Sequence, residues 1–180
     1  MSDEIVNRVD KSPVQTVDLG DYYPEGEITE IDLKDWLYQG LILKEQEFRD
    51  KIKEHDWSQY QDKNIALHCS ADAIIPVWAW MLMQVSLHPV ARQVFFGKKD
   101  DVLYALFREN LQARLDPARF DGKPAVIKGC GDKPVPAGAF MEATQMLMPY
   151  VKSIMYGEPC STVPVYKKPA QRKSSAAKTS

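Results

Sequence analysis

Three cysteines are the residues of this 180-residue chain that are best suited to chemistry. Cys69 and Cys130 each follow a short apolar run, and Cys160 lies in a segment rich in turn-forming residues. Thiolates bind Zn²⁺ and iron–sulfur clusters, so three thiols that meet at one place would form a soft-metal site for Zn or Fe. The sequence contains no Cys-x-x-Cys motif, and this prediction therefore depends on the fold bringing the three residues together.

Acidic residues near the cysteines are suited to complete such a site. Asp72 and Asp132 lie within three residues after the first two cysteines, and Glu158 lies shortly before the third. One of these carboxylates, or solvent, would supply the fourth ligand. His68 is a weaker candidate, because adjacent residues of a strand point to opposite faces. The predicted metal ligands are Cys69, Cys130, Cys160, Asp72 and Asp132.

Two other interpretations of the cysteines stay open. A persulfide carrier or sulfur transferase needs only one exposed and activated thiol, and Cys160 is the best placed for that role. Isolated cysteines are also often buried and inert, which would leave a structural or interaction domain. No acid–base constellation is recognisable, and nothing indicates that the side chain of His55, His68 or His88 lies beside a cysteine in the fold. We therefore favour a binding or assembly module over an enzyme.

An internal repeat supplies the elements that must position the thiols. Residues 56–97 match residues 116–157 at an offset of sixty (116 − 56 = 60), with one inserted and one deleted residue around the cysteine. Self-similarity at a fixed offset is a signal of fold-level duplication. The matched pairs are Asp56 and Asp116, Tyr60 and Phe120, Lys63 and Lys123, Pro76 and Pro136, Ala79 and Ala139, Met81 and Met141, Pro89 and Pro149, and Gly97 and Gly157.

Each copy of the repeat predicts a βαβ unit. Short apolar runs after polar turns are typical of buried parallel strands. Pro76 and Pro136 suit the first turn of a helix, where a missing N–H costs nothing. The predicted elements are strands at 65–68, 92–96, 125–128 and 152–156 and helices at 76–87 and 136–147. The side chains predicted to pack on the sheet from the first helix are Trp78, Trp80, Met81 and Met83.

The duplication also predicts where a ligand would bind. The first strands of the two copies would lie side by side and parallel at the centre of one sheet, and ligands collect beyond the carboxyl ends of such strands. Cys69 and Cys130 occupy those ends, and the positive N-terminus of the helix after each would lower the pKa of the thiol. We therefore expect Cys69, Cys130 and Cys160 to converge at the carboxyl edge of one sheet.

The segments before the repeat complete a mixed fold. Residues 14–19 and 27–33 alternate as strands do, and Phe48 and Ile52 mark the apolar stripe of a helix over 44–55. The sequence thus predicts an α/β fold. A parallel-rich sheet from the duplicated βαβ unit would have helices on both faces and additional N-terminal strands.

Composition narrows the class of protein. We expect a single domain over residues 1–166 and a disordered basic tail over 167–180, which has five cations and no large apolar residue. The formal net charge of −2 becomes −7 without the tail (−2 − 5 = −7), which argues against nucleic-acid binding by the core. No run approaches the roughly 18 apolar residues of a membrane span, and no signal peptide is recognisable at the start. We expect a cytoplasmic protein whose oligomeric state is open.

Four long motifs resemble a known family. The first two are Asp35-Trp-Leu-Tyr-Gln-Gly-Leu-Ile-Leu-Lys-Glu and Cys69-Ser-Ala-Asp-Ala-Ile-Ile-Pro. The other two are Lys128-Gly-Cys-Gly-Asp-Lys-Pro-Val-Pro and Tyr156-Gly-Glu-Pro-Cys-Ser-Thr-Val-Pro-Val-Tyr-Lys. All four are similar to the uncharacterised bacterial family catalogued as domain of unknown function 2480, over about residues 4–168. The resemblance implies no established activity. It implies an association with genes for iron–sulfur cluster assembly by sulfur mobilisation, and hence iron–sulfur assembly proteins as partners.

Overall fold

The computed structural model describes residues 14–129, 131–158 and 161–169. The strands are β1 (Gln15–Asp18), β2 (Ile28–Asp32), β3 (Asn64–His68), β4 (Gln93–Phe96), β5 (Pro124–Lys128), β6 (Ser153–Glu158) and β7 (Ser161–Lys167). The helices are α1 (Glu45–Glu54), α2 (Val77–Leu87), α3 (Lys99–Arg114) and α4 (Ala137–Leu147). They form two compact units: the continuous unit, Pro24–Asn110, and the split unit, which combines the residues up to Tyr23 with those from Leu111 onward. The single domain predicted over residues 1–166 stays a prediction.

The continuous unit is built on a three-stranded parallel sheet in the order β2-β3-β4. Ile65 and Leu67 of β3 belong to a core cluster with side chains of α1 and α2. Ala66, which lies between them, packs against Val102 and Leu106 of α3. Because neighbouring residues of a strand point to opposite faces, the two clusters contact opposite faces of β3.

The split unit is built on a four-stranded sheet in the order β1-β5-β6-β7. The first three strands are parallel, and β7 is antiparallel to β6. Ala125, Val126 and Ile127 of β5 are almost completely buried, as expected for an inner strand of a parallel sheet. The predicted N-terminal strands are confirmed, and each belongs to a different sheet.

Prolines bound the helices of the repeat, as predicted. α2 and α4 begin directly after Pro76 and Pro136 and end two residues before Pro89 and Pro149. Proline lacks the N–H that a helix interior requires, so it is tolerated before the first turn and prevents continuation after the last. Both predicted strand–helix–strand segments are present, with β3 parallel to β4 and β5 parallel to β6.

The N-terminal strands carry a repeated turn of their own. β1 ends at Asp18 and β2 ends at Asp32, and each carboxylate accepts a hydrogen bond of 2.9 Å from the backbone N–H two residues later. A 3-10 turn follows in both cases, with the matching sequences Val17-Asp-Leu-Gly-Asp-Tyr and Ile31-Asp-Leu-Lys-Asp-Trp. β1 pairs with β5 and β2 pairs with β3, so each repeat has one N-terminal strand beside it.

The predicted adjacency of the strands that precede Cys69 and Cys130 is wrong. β3 lies between β2 and β4, whereas β5 lies between β1 and β6 in a separate sheet. The physical reason is that β2 lies beside β3 and β1 lies beside β5. Each N-terminal strand thus occupies the place beside a repeat that the prediction gave to the first strand of the other repeat. Helices on both faces of one common sheet are accordingly not confirmed.

The last described segment of the chain is a strand. Lys167, in the predicted tail 167–180, is the final residue of β7, and the Lys168 N–H donates to the Lys152 carbonyl at 2.9 Å. Residues 170–180 of that tail lie outside the described residues. Within the described part of the chain, no helix has the length and apolar character needed to cross a membrane.

Candidate functional site

The carboxyl ends of β1, β5 and β6 meet at one edge of the split unit's sheet, and a lysine connects them. Lys128 ends β5, and its Nζ lies 3.1 Å from Asp18 Oδ2 and 3.7 Å from Glu158 Oε2. The hydrogen bond to Asp18, together with the negative charges of Asp18 and Glu158, raises the pKa of Lys128. This edge therefore holds a lysine cation between two carboxylates.

Two of the predicted metal ligands follow this edge in the chain. Cys130 and Cys160 come two residues after the ends of β5 and β6, and both lie outside the described residues. β5 and β6 are direct neighbours, with Ile127 opposite Tyr156. Asp132, just beyond the first of these cysteines, is exposed. Adjacent parallel strands thus lead to both cysteines.

The third predicted thiol belongs to the continuous unit. Cys69 follows β3 directly, is half-buried against the cluster formed with α1 and α2, and directs its Sγ to the Ala71 carbonyl at 3.8 Å. Asp72 is exposed in the loop that follows. Over residues 14–129, 131–158 and 161–169, no group of three or more His, Cys, Asp and Glu side chains could hold a metal ion. Cys69 and Asp72 are therefore not brought together with a third described ligand.

Asp32 is a functional candidate that the sequence prediction missed. Its carboxylate ends β2 opposite His68 of β3, and it accepts hydrogen bonds from Lys34 N, Ser70 N and Ser70 Oγ. Burial acts to raise the pKa of Asp32, but the hydrogen bonds from Ser70 and Lys34 outweigh it and hold this pKa below its ordinary value. The carboxylate thereby anchors the loop that starts at Cys69. Its signals in the sequence are its position at the end of an alternating strand and the short motif that it shares with Asp18.

Asp32→Asn should lower the free energy of unfolding by about 1–2 kcal/mol at pH 7, because a charged acceptor of three hydrogen bonds is lost. The pKa of Asp32 is lower in the folded protein than in the unfolded chain. The carboxylate therefore stabilises the fold above about pH 4, and this stabilisation disappears as the pH falls through the folded-state value. Urea unfolding of both proteins should give stabilities that differ at neutral pH and converge in acid.

The exposed side chain of Asp35 provides a matched control for this measurement. Asp35→Asn should change the free energy of unfolding by less than about 0.5 kcal/mol at either pH. Equal losses in the two variants, or a difference at Asp32 that does not depend on pH, would contradict the assigned role of the Asp32 carboxylate.

His68 and Glu30 form a polar contact that does not include the thiol. His68 Nε2 lies 3.6 Å from Glu30 Oε1, which also accepts a hydrogen bond of 3.0 Å from Lys99 N. His68 Nδ1 is buried, with no hydrogen-bond partner among the described residues. Cys69 packs instead against the cluster of α1 and α2, so the two side chains do not form a histidine–cysteine pair.

A polar cleft of about 460 Å³ adjoins β2 and α1 in the continuous unit. His55 Nε2 lies 3.2 Å from Tyr60 Oη, and the His55 ring packs against Trp36 at a centroid distance of 4.9 Å. No cysteine is among the described residues that line the cleft, so the cleft does not pair His55 with a described thiol. The lining residues are Glu30, Ile31, Asp32, Asp35, Trp36, Lys51, Glu54, His55 and Tyr60.

Each unit also has an apolar groove beside the helix of its repeat. A groove of about 400 Å³ lies between α2 and β4, and one of about 740 Å³ lies between α4 and the strands β6 and β7. Every residue that lines the smaller groove has a counterpart sixty positions later that lines the larger one. The pairs are Leu67 and Ile127, Trp80 and Phe140, Met81 and Met141, Gln84 and Thr144, Val85 and Gln145, Val94 and Ile154, Phe95 and Met155, and Phe96 and Tyr156.

The smaller groove corrects one prediction about packing. Met83 of α2 is buried as predicted, but Met81 is 64% exposed at the groove and does not pack against the sheet as predicted. The helix is apolar around almost its whole circumference, so periodicity does not indicate which of its faces meets the core.

Comparison with known proteins identifies a family. The model of the family described as protein of unknown function (DUF2480) matches residues 3–168, which is nearly the whole chain. No curated protein and no solved structure matches the chain. The matched range extends through both units and includes all three cysteines. The chain belongs to the DUF2480 family.

Proposed function

We propose that this chain is a cytoplasmic metal-binding accessory protein of iron–sulfur cluster assembly, in which Cys130 and Cys160 supply thiolate ligands to Zn or iron. One observation carries the proposal. β5 and β6 are parallel neighbours, and each leads within two residues to one of these cysteines. The partners expected on this proposal are iron–sulfur assembly proteins.

The spacing of the two strands suits a single metal ion. Neighbouring parallel strands lie about 4.8 Å apart. Two zinc–sulfur bonds of about 2.3 Å at a tetrahedral angle place the sulfur atoms about 3.8 Å apart, so the segments beyond the strands have to bring the thiols only about 1 Å closer than the strand spacing. Cys130 lies three residues beyond Ile127 and Cys160 lies four beyond Tyr156, which faces Ile127 (130 − 127 = 3; 160 − 156 = 4). Connections of that length can bring two thiols to one ion without a change in the sheet.

The remaining ligands would come from carboxylates of the same unit. Asp132 follows Cys130 by two residues, and Glu158 lies at the end of β6. Two thiolates with carboxylate or solvent oxygen form a donor set that Zn²⁺ accepts. Cys69 and Asp72 follow β3 in the other sheet, and this version of the site does not require them.

Lys128 favours a second candidate function, a thiol-based sulfur carrier. It is held between Asp18 and Glu158 and lies two residues before Cys130. A nearby cation stabilises a thiolate, and the thiolate is the form of cysteine that accepts and transfers sulfur as a persulfide. A sulfur carrier would need one reactive thiol and no bound metal.

Elemental analysis and an absorption spectrum of the full chain, purified without oxygen, test the metal proposal. We expect about one equivalent of Zn or Fe per chain. Cys130→Ser and Cys160→Ser should each reduce the bound metal by about tenfold or more, because each removes a direct ligand. Cys69→Ser is the matched control and should retain the metal. A wild-type chain that binds neither metal after reconstitution would refute the proposal.

Alkylation read by mass spectrometry separates the two candidate functions. A metal site protects Cys130 and Cys160 from alkylation until a chelator is added. One thiol that reacts rapidly in the absence of metal would support the sulfur carrier instead. Three uniformly unreactive thiols without metal would contradict both functions and leave an interaction domain with inert cysteines.

A further inference from the structure

The outer edge of β4 has no strand partner in the described part of the chain, although the equivalent edge of the other repeat has one. β6 is the counterpart of β4 sixty residues later, and it pairs with the antiparallel strand β7. β4 pairs only with β3 among the described strands. The split unit therefore contains an example of the kind of segment that this edge can bind.

The backbone of β4 presents the hydrogen-bonding groups that such a segment needs. Gly97 N donates to the Leu67 carbonyl of β3 at 3.0 Å. Because the bonding direction alternates along a strand, Val94 and Phe96 direct their N–H and C=O groups away from β3. Their counterparts in β6 are paired with β7. The free groups of β4 are thus arranged to add one further strand.

An apolar groove adjoins this edge on the side of α2. Phe96 is 77% exposed, and its ring meets that of Trp80 edge-on at a centroid distance of 5.0 Å. Met81 and Val85, one turn apart on α2, are also largely exposed. In the split unit the corresponding aromatic rings meet edge-on at 5.6 Å, and Val165 of β7 lines the corresponding groove. Contiguous exposed apolar side chains of this kind mark a binding surface.

Charges at the two ends of β4 discriminate between occupants. Arg92 precedes the strand and Lys98 follows shortly after it. If a second copy added its own β4 through the free groups of Val94 and Phe96, Arg92 of each copy would come near Lys98 of the other. Arg92 is already 3.7 Å from Glu25 of its own copy, but this ion pair is exposed and weak. Like charges brought close across a strand pair destabilise the pairing. Residues 170–180 contain no large apolar side chain to fill the groove. An apolar segment with an acidic residue at each end complements the site.

We propose that β4 binds an extended segment of a partner protein by strand addition. The segment runs antiparallel to β4, places β-branched side chains over the groove of Trp80 and Phe96, and sets an acidic residue opposite each of Arg92 and Lys98. Main-chain hydrogen bonds supply affinity in this mode, and the side-chain groove supplies selectivity.

A labelled heptapeptide with blocked ends, Asp-Thr-Val-Thr-Val-Tyr-Glu, is the probe, and fluorescence anisotropy with the full chain measures its binding. In the proposed register its two valines lie opposite Phe96 and Val94 and exchange hydrogen bonds with them. N-methylation of both valines should weaken binding by about tenfold or more, because two hydrogen bonds are lost. N-methylation of the central threonine, whose N–H faces away from β4, should change binding by less than about threefold.

A charge reversal tests the register independently. Lys98→Glu should weaken binding of this peptide, and a peptide that begins with Lys should restore it. The backbone N–H of Lys98 caps α3 through Asp101 Oδ2 at 2.9 Å, and a side-chain replacement leaves that bond in place. Three results would overturn the proposal: no binding at millimolar peptide, equal effects of all the N-methylations, or a stable dimer that Phe96→Glu dissociates.

Discussion

Phe48→Ala is expected to lower the free energy of unfolding by about 3–5 kcal/mol. Phe48 of α1 is completely buried, and its ring packs edge-on against Trp36 and Trp78 with both centroid distances at 5.8 Å. Removal of the ring leaves a cavity among side chains that belong to three different elements, so the surroundings can collapse only partly. Urea unfolding followed by tryptophan fluorescence measures the loss.

Phe96→Ala is the matched control, since the same atoms are removed from a side chain that is 77% exposed. It should change the free energy of unfolding by at most about 1 kcal/mol, because only the edge-on contact with Trp80 is lost. Comparable losses in the two variants would mean that the cluster around α1 and α2 is not the stabilising core of the continuous unit.

Gly157→Ala is expected to destabilise the protein by about 2–4 kcal/mol through strain and steric overlap. Gly157 lies in β6 with a φ of +115°, a backbone conformation that residues with a side chain rarely adopt. A Cβ atom there would lie 2.6 Å from the Ser161 carbonyl oxygen of β7. Relief of this contact requires the two strands to separate locally. Urea unfolding and the hydrogen-exchange protection of the β6–β7 amides would report it.

Gly122→Ala provides the comparison for this glycine. Gly122 also has a positive φ, +66°, but a Cβ atom there would meet no other atom within 4 Å. Only the intrinsic strain remains, which is about 1–2 kcal/mol. If Gly122→Ala costs as much as Gly157→Ala, the overlap with the Ser161 carbonyl adds nothing to the cost of the Gly157 substitution, which would contradict the prediction.

Local elements could be predicted from the sequence because their signals are local. Pro76 and Pro136 mark the starts of α2 and α4, and Phe48 and Ile52 mark the buried face of α1. The partners of the strands could not be predicted in the same way. β1 and β2 carry the same short turn motif, and nothing within either strand indicates which repeat it joins. The choice is made by packing between segments that are distant in the chain.

The candidate site was predictable to a lesser extent. The cysteines could be recognised by residue type, and Cys130 and Cys160 do follow adjacent strands. The sequence predicts Cys69 at the same sheet as Cys130 only because nothing in it indicates that one N-terminal strand pairs with each repeat. Asp32 and the exposed face of α2 were missed for a different reason. Their roles depend on hydrogen bonds and neighbours that residue type and periodicity do not encode.

The order of strands along the chain has a consequence for how the protein leaves the ribosome. β1 is made before the other described strands, but its partner β5 begins 106 residues after β1 ends (124 − 18 = 106). At about 5–20 residues per second, translation delivers that partner about 5–20 s later. All strands of the continuous unit lie within Pro24–Asn110, and the lower contact order of its sheet favours rapid folding in that interval. Among the described strands, β1 therefore stays without its partner until the continuous unit has been synthesised.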